Sequence, residues 1–243
     1  WGTGIDSIDQ QACARLGINI ENTPNAFTLP VADSVLGYIL AFARQQPWLD
    51  RAMKAGRWEK SLGRSLSECT LGVIGVGRIG KAVLRRADAF GMRLLGNDIR
   101  EIEPDFIAEH GVELKDIDDL LVDADFVSVN CDLNPTSEGL LSRESFVRMK
   151  REAYLINTAR GAIVDQSALV RALERGDIAG AALDVFEQEP LPDDSPLREF
   201  DRVLLSPHNA NASPTAWERV HWNTIRNLLE GLGISAEGIE DEV

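Results

Sequence analysis

Between residues 71 and 206 the chain alternates two patterns, and the alternation restricts the fold more than any other feature. Six short runs are apolar or β-branched on both faces: LGVIGV (71–76), RLLGN (93–97), DFVSVN (125–130), AYLINT (153–158), IAGAALD (178–184) and RVLLS (202–206). Helical patterns separate several of them. RIGKAVLRRADAF (78–90) puts Ile79, Val83 and Ala87 on one face, IDDLLVDA (117–124) reads as a short helix, and QSALVRALERG (166–176) closes on Gly176. Strands buried on both faces and separated by helices imply a doubly wound α/β fold, a parallel sheet covered by helices. In such sheets ligands bind at the carboxyl ends of the strands.

A chain of 243 residues, 44% hydrophobic and 26% charged, has enough apolar side chains for a sizeable core. No run approaches the length of a membrane span, so no membrane partner is expected. The net charge of −14 argues against nonspecific binding to nucleic acid or anionic lipid, both polyanions. Cys13, Cys69 and Cys131 are scattered, with neither metal-ligand spacing nor a disulfide framework. They read as small apolar residues of a cytoplasmic protein, and no metal is expected.

Residues 75–80 read GVGRIG, a G-x-G-x-x-G motif. Glycines recur in many turns, but this motif follows a buried strand and opens a helix. Asp98 lies at the end of the next strand, 18 residues after Gly80. The pattern fits a Rossmann-type dinucleotide site. Gly75 permits the tight turn, Gly77 lets the backbone approach a pyrophosphate, and Gly80 allows close helix–strand packing. With Arg78 and Ile79 they place a helix amino end at the phosphates. Asp98 accepts hydrogen bonds from the adenosine ribose and repels a 2′-phosphate, which favours NAD over NADP, although Arg100 is nearby.

Three polar groups stand at or beyond the later strand ends. Arg160 follows AYLINTA, Asp184 ends IAGAALD with Glu189 five residues on, and His208 follows RVLLSP. Parallel strands point these ends at the crevice that holds GVGRIG. Hydride transfer from an alcohol carbon needs a base for the hydroxyl proton, and the reverse needs an acid; histidine serves both near neutral pH. A carboxylate orients such a ring and favours its protonated form. An arginine forks onto a substrate carboxylate or polarises its carbonyl. His110 and His221 have no matching partners and read as surface or packing residues.

With these pieces in place, the chain resembles the D-isomer-specific 2-hydroxyacid dehydrogenases, through GTGIDSID (2–9), NTPNAFTLPVAD (22–33), LGVIGVGRIGKAV (71–83), NTARGAIVD (157–165), AGAALDVFEQEPLP (179–192) and SPHNA (206–210). Within that family it is most similar to the D-3-phosphoglycerate dehydrogenase and hydroxypyruvate/glyoxylate reductase branch. The resemblance implies that His208 is the acid/base beside the nicotinamide, Glu189 its partner, and Arg160 the clamp on substrate carboxylate and keto oxygen. It implies that Asp184 and the backbone around Thr158 and Ala159 hold the nicotinamide carboxamide. Backbone groups of Gly2, Thr3 and Gly4 would approach the substrate carboxylate. Asn130 stands where many relatives carry a histidine. Some relatives of this fold are dinucleotide-responsive corepressors, the alternative to an enzyme.

Two flanking regions complete the expectations. A helix over 31–46 stops before Pro47, and an irregular arm follows over 47–66. Together they carry Tyr38, Phe42, Trp48, Trp58 and Leu62, more apolar surface than one domain covers, which points to a homodimer through residues 31–66. At the start, DSIDQQACARL (6–16) predicts a helix capped by Asp6 and stopped by Gly17, then a strand INIEN (18–22). A last helix is expected over 214–230. One strand and two helices do not make a covered sheet. The chain opens without methionine, and the resemblance implies preceding strands and helices. The expectation is therefore an amino-terminally truncated protein, with a complete cofactor domain over roughly 25–208. Residues 1–24 and 209–243 would be the remnant of a smaller, flavodoxin-like substrate domain.

Overall fold

The structure is a computed structural model that describes residues 1–235. Residues 236–243, the end of the segment assigned above to the substrate domain, lie outside the described residues. The strands are β1 (Thr70–Ile74), β2 (Arg93–Asn97), β3 (Glu113–Leu114), β4 (Phe126–Val129), β5 (Tyr154–Asn157), β6 (Gly180–Leu183) and β7 (Val203–Leu205). The helices are α1 (Gln10–Leu16), α2 (Thr28–Arg44), α3 (Gln46–Lys54), α4 (Arg78–Ala89), α5 (Pro104–His110), α6 (Ile117–Asp123), α7 (Arg143–Arg148), α8 (Gln166–Arg175) and α9 (Pro214–Gly231). The chain divides into two compact units, Val31–Ala210 and a smaller one made of Trp1–Pro30 with the segment from Asn211 onward.

In the larger unit all seven strands form one parallel sheet in the order β3-β2-β1-β4-β5-β6-β7. Successive residues of a strand feed two separate apolar layers. Phe126, Ile156 and Ala182 join the layer of α2 and α4, while Val127, Leu155 and Ala181 join the layer of α6, α7 and α8. That is why the runs are apolar on both faces. The order reverses between β1 and β4, so the crevice for a ligand opens at their carboxyl ends.

The six expected strands form within a residue or two. The short strand β3 and the helices α5 and α7 were not anticipated. The arm is also more ordered than its sequence suggests. Gln45 takes a left-handed φ of 54°, and α3 begins at once with Pro47 in its first turn. A missing N–H costs nothing there.

The apolar residues assigned to an interface divide in two. Phe42 is 2% exposed, with ring centroids 4.3 Å from Tyr154 and 5.6 Å from Trp48. Tyr38 and Trp48 pack on the same core, and Trp48 Nε1 donates to the Asp201 carbonyl at 2.8 Å. Their surface is covered by the chain itself, because α2 and α3 fold back on the sheet. Only Trp58 (78%) and Leu62 (96%) remain well exposed.

In the smaller unit, α1 starts later than expected and its cap is Asp9, not Asp6. The Asp9 carboxylate accepts the Ala12 amide at 2.8 Å. Gly17 ends the helix in the left-handed conformation, as anticipated. The strand over 18–22 is absent, because a strand needs a ladder partner and none lies beside it among the described residues. Instead the Thr23 amide donates to Gly2 O and Thr3 Oγ1 donates to Thr23 O, which ties residues 2–3 to 22–23. Helix α9 is capped by Ser213, and its His221 ring lies 5.7 Å from Trp1. Among the described residues no helix is long and apolar enough to cross a membrane.

Candidate active site

The glycine turn joins β1 to α4, and its three glycines answer to different constraints. Gly75 has a φ of +91°, and a Cβ there would stand 2.4 Å from the Cys131 amide nitrogen. A Cβ on Gly80 would stand 2.1 Å from Gly75 O, so α4 sits directly on the turn. Both are required by the protein's own packing. Gly77 is not. Its φ of −73° is ordinary, and a Cβ there would meet no atom of the described residues within 4 Å. It faces open space at the start of α4, where Arg78 and Ile79 follow without a side-chain cap or an acidic residue. Amides left open there suit a phosphate.

Asp98, at the end of β2, is fixed by this turn. Its carboxylate accepts the Val76 amide at 2.7 Å and the Arg100 amide at 2.9 Å. Each oxygen keeps a lone pair for a ribose hydroxyl. Cys131, packed against Gly75, has its thiol pushed up to about 11 by burial, with Asp132 and Asp98 adding to the effect.

The loop after β5 carries the next group. Asn157 is 1% exposed; its Nδ2 donates to the Arg160 carbonyl at 2.9 Å and its Oδ1 accepts the Ala159 amide at 3.1 Å. Arg160 Nη1 donates to the Ala159 carbonyl at 2.7 Å. Both backbone groups of Ala159 are thus engaged within the loop. The Thr158 hydroxyl is buried and has no hydrogen-bond partner among the described residues, an unmet polar group beside the expected nicotinamide position. Unmet buried polar groups are costly, so a ligand amide is a natural partner. A Cβ on Gly161 would stand 1.9 Å from the Phe186 backbone, so the arginine loop is pressed onto the segment that leads to Glu189.

Glu189 and His208 meet. His208 Nδ1 lies 2.8 Å from Glu189 Oε2, and Glu189 Oε1 accepts the Phe186 amide at 3.0 Å. Both side chains are partly exposed. Asp184, 1% exposed, lies under the histidine loop. Its carbonyl accepts the His208 amide at 2.8 Å, and its two carboxylate oxygens accept the amides of Asn209 and Ala210 at 2.8 and 2.9 Å. Those bonds give Asp184 a structural duty beyond the carboxamide contact expected of it. His208 itself has a φ of 52°, a left-handed conformation unusual for a residue with a side chain.

The larger unit therefore brings Arg160, Glu189 and His208 to the ends of three adjacent strands. Gly2, Thr3 and Gly4 belong to the smaller unit. Asn157 and Gly161 escaped the sequence reading, though a lone polar residue closing an apolar strand and a glycine after the key arginine were both visible. His110 does have a partner, since its Nδ1 lies 2.8 Å from Asp88, far from these groups in sequence.

A seven-stranded Rossmann-type sheet with a histidine–carboxylate pair at its strand ends points to a dinucleotide-dependent class, and comparison with known proteins makes it specific. Residues 36–210 match the family described as D-isomer specific 2-hydroxyacid dehydrogenase, NAD binding domain, and the chain belongs to that family. It is 42% identical over 235 residues to a glyoxylate reductase of Korarchaeum cryptofilum, covering 94% of this chain and 70% of that protein. It is 41% identical over 220 residues to the Homo sapiens D-3-phosphoglycerate dehydrogenase, covering 90% of this chain and 41% of that protein. Among solved structures, the TT0316 protein of Thermus thermophilus aligns with a TM-score of 0.87 at 39% identity, over 97% of this chain and 76% of that one. The D-lactate dehydrogenase of Aquifex aeolicus complexed with NAD and lactic acid aligns with a TM-score of 0.90 at 31% identity, over 96% and 74%. The cofactor of the domain is NAD, and the open face of Gly77, the Asp98 carboxylate and the unmet Thr158 hydroxyl fit it.

Proposed function

We propose that the protein reduces a small 2-keto acid to its D-2-hydroxy acid, and oxidises it in reverse, with NAD(H). The observation that carries this reading is the 2.8 Å contact between His208 and Glu189 at the strand ends that follow a dinucleotide turn. Bound NAD supplies or accepts the hydride. Glu189 occupies Nδ1 of the ring, which leaves Nε2 to exchange a proton with the substrate oxygen. Arg160 binds the substrate carboxylate and draws charge onto the keto oxygen as it develops. Asp98 selects NAD over NADP. The glyoxylate reductase and phosphoglycerate dehydrogenase relatives motivate a substrate panel of glyoxylate, hydroxypyruvate and 3-phosphohydroxypyruvate.

The test is loss of NADH absorbance with that panel, using the full-length gene product. Turnover with one of the three supports the enzyme, and tight NADH binding without turnover supports the corepressor reading. Reduction consumes a proton from His208, so its rate falls as pH rises; oxidation needs the neutral ring, so its rate falls as pH drops. Glu189→Gln keeps the size of the side chain but removes the carboxylate that orients the ring through Nδ1, and should lower kcat in both directions. An unchanged kcat would remove Glu189 from its role.

The same reading assigns the larger unit to the cofactor and the smaller unit, with Gly2, Thr3 and Gly4, to the substrate side. It places the protein in the cytoplasm, in keeping with its three free cysteines. It also includes a homodimer through residues 31–66, supported by the exposure of Trp58 and Leu62. Sedimentation at micromolar concentration checks this, and a monomer would refute it.

A further inference from the structure

The residues gathered above stand at the carboxyl ends of the strands. At the amino ends of β5, β6 and β7 a cavity of about 350 Å³ lies among Arg151, Leu173, Ile178, Phe200, Asp201 and Arg202. Arg151 comes shortly before β5, and Arg202 directly before β7.

Its charge runs against that of the chain. The net charge is −14, yet two guanidiniums line this cavity. Among the described residues neither has a side-chain hydrogen bond or an ion pair. Asp201 is the one carboxylate in the lining, and its Oδ1 is taken by Arg51. The carboxyl end of α8 reaches the cavity at Gly176, and a helix carboxyl end repels anions. Here that end is capped: the carbonyls of Ala172 and Leu173 accept the amides of Asp177 and Gly176 at 2.9 and 3.2 Å.

Arg202 is also held in place. Its guanidinium carbon lies 4.6 Å from the centre of the Trp48 ring, and Trp48 is anchored by its bond to the Asp201 carbonyl. Stacking uses the face of a guanidinium and leaves its N–H edge for a ligand. Such an edge takes a carboxylate or a phosphate through paired hydrogen bonds. Leu173, Ile178 and Phe200 supply an apolar wall beside it, with Ile178 buried. The volume falls in the range of small-molecule sites.

We propose that this cavity is a second anion site, for a small molecule with a phosphate or carboxylate head and a short apolar body. Arg202 and Arg151 take the head, and the apolar wall takes the body. The length of the strands separates it from Arg160, Glu189 and His208, so its ligand does not compete with substrate. The site stands whether or not the enzymatic reading holds.

Saturation-transfer NMR of monobutyl phosphate, butyrate and butanol, each with the full-length gene product, tests it. We expect transfer to the butyl protons of the phosphate, the carboxylate or both, and far less to butanol, which lacks the charged head. Transfer to only one of the two anions supports the site and identifies its head group. Arg151→Gln removes no contact among the described residues, so it should fold normally and weaken binding at least about tenfold, the scale of one charged hydrogen bond. Arg151→Lys keeps the charge without the fork and should fall between. Arg202→Gln should weaken binding as much, but it also loses the Trp48 stack and should lower the melting temperature. Arg160→Gln should leave this binding in place. No transfer to either anion, equal transfer to butanol, or binding unchanged in both Arg151→Gln and Arg202→Gln would overturn the proposal. So would binding lost in Arg160→Gln alone, which would place the anion at the strands' other end.

Discussion

The glycines of the dinucleotide turn separate what the protein needs from what its ligand needs. Gly77→Ala has an ordinary φ and meets no atom of the described residues, so the variant should keep its stability to within about 1 kcal/mol, the scale of a changed helix cap. Its methyl group enters the space offered to the pyrophosphate, and NADH affinity should drop at least tenfold, about 1.4 kcal/mol. Gly75→Ala should behave differently, losing about 1–3 kcal/mol of stability through its positive φ and the clash with Cys131. Melting curves with and without NADH separate the two; equal stability loss in both would deny the ligand role of Gly77. The same turn protects a thiol. With Cys131 pushed up to about 11 by burial, about one thiol in a thousand is ionised at pH 8, so it should alkylate far more slowly than an ordinary thiol. Rapid labelling of Cys131 by iodoacetamide, mapped by mass spectrometry, would contradict that environment.

At the scale of elements, the amino ends of the strands are held by a charge cluster that catalysis does not use. Asp125 opens β4; its carboxylate accepts the Thr70 amide at 2.8 Å and pairs with Arg64 at 3.1 Å and Lys150 at 3.2 Å. Burial alone would raise its pKa, but Arg64, the Thr70 amide and Lys150 together hold it below the usual aspartate range. A depressed carboxylate adds stability above its unfolded value and loses it as pH falls through the folded one, so the contribution should fade below about pH 4. Asp125→Asn should cost about 1–3 kcal/mol at neutral pH and less in acid. A cost that persists unchanged in acid would show that charge is not its origin. The long buried strands and amphipathic helices were legible because each commits several residues to one period. Strand β3 was not, since two residues carry no period, nor were helices α5 and α7, which each bury a single large apolar residue, Phe106 and Phe146, where the equally short α6 buries two leucines. The strand over 18–22 misled for a related reason: an apolar alternation fits a strand, but only a neighbour with free backbone groups makes one.

Across the whole molecule, the ends of parallel strands gathered what the sequence spread over more than a hundred residues, from Gly75 to His208. Arg160, Asp184, Glu189 and His208 were legible as candidates because each ends or shortly follows an apolar run. Their supports were not: Asn157 and Gly161 stand in plain view in the sequence, but their contacts with the Arg160 carbonyl and the Phe186 backbone are set only by the fold. The central claim is that hydride passes directly between nicotinamide and the C2 carbon while His208 handles the proton. The most direct measurement gives the full-length gene product NADH deuterated on the transferred face and the keto acid it turns over fastest, then locates the label by NMR. The account predicts one deuterium at C2 of the D-hydroxy acid, with the His208→Gln variant binding NADH near normally but forming that product at least about a hundredfold more slowly. Product without the label at C2, or an undiminished rate from the variant, would contradict it.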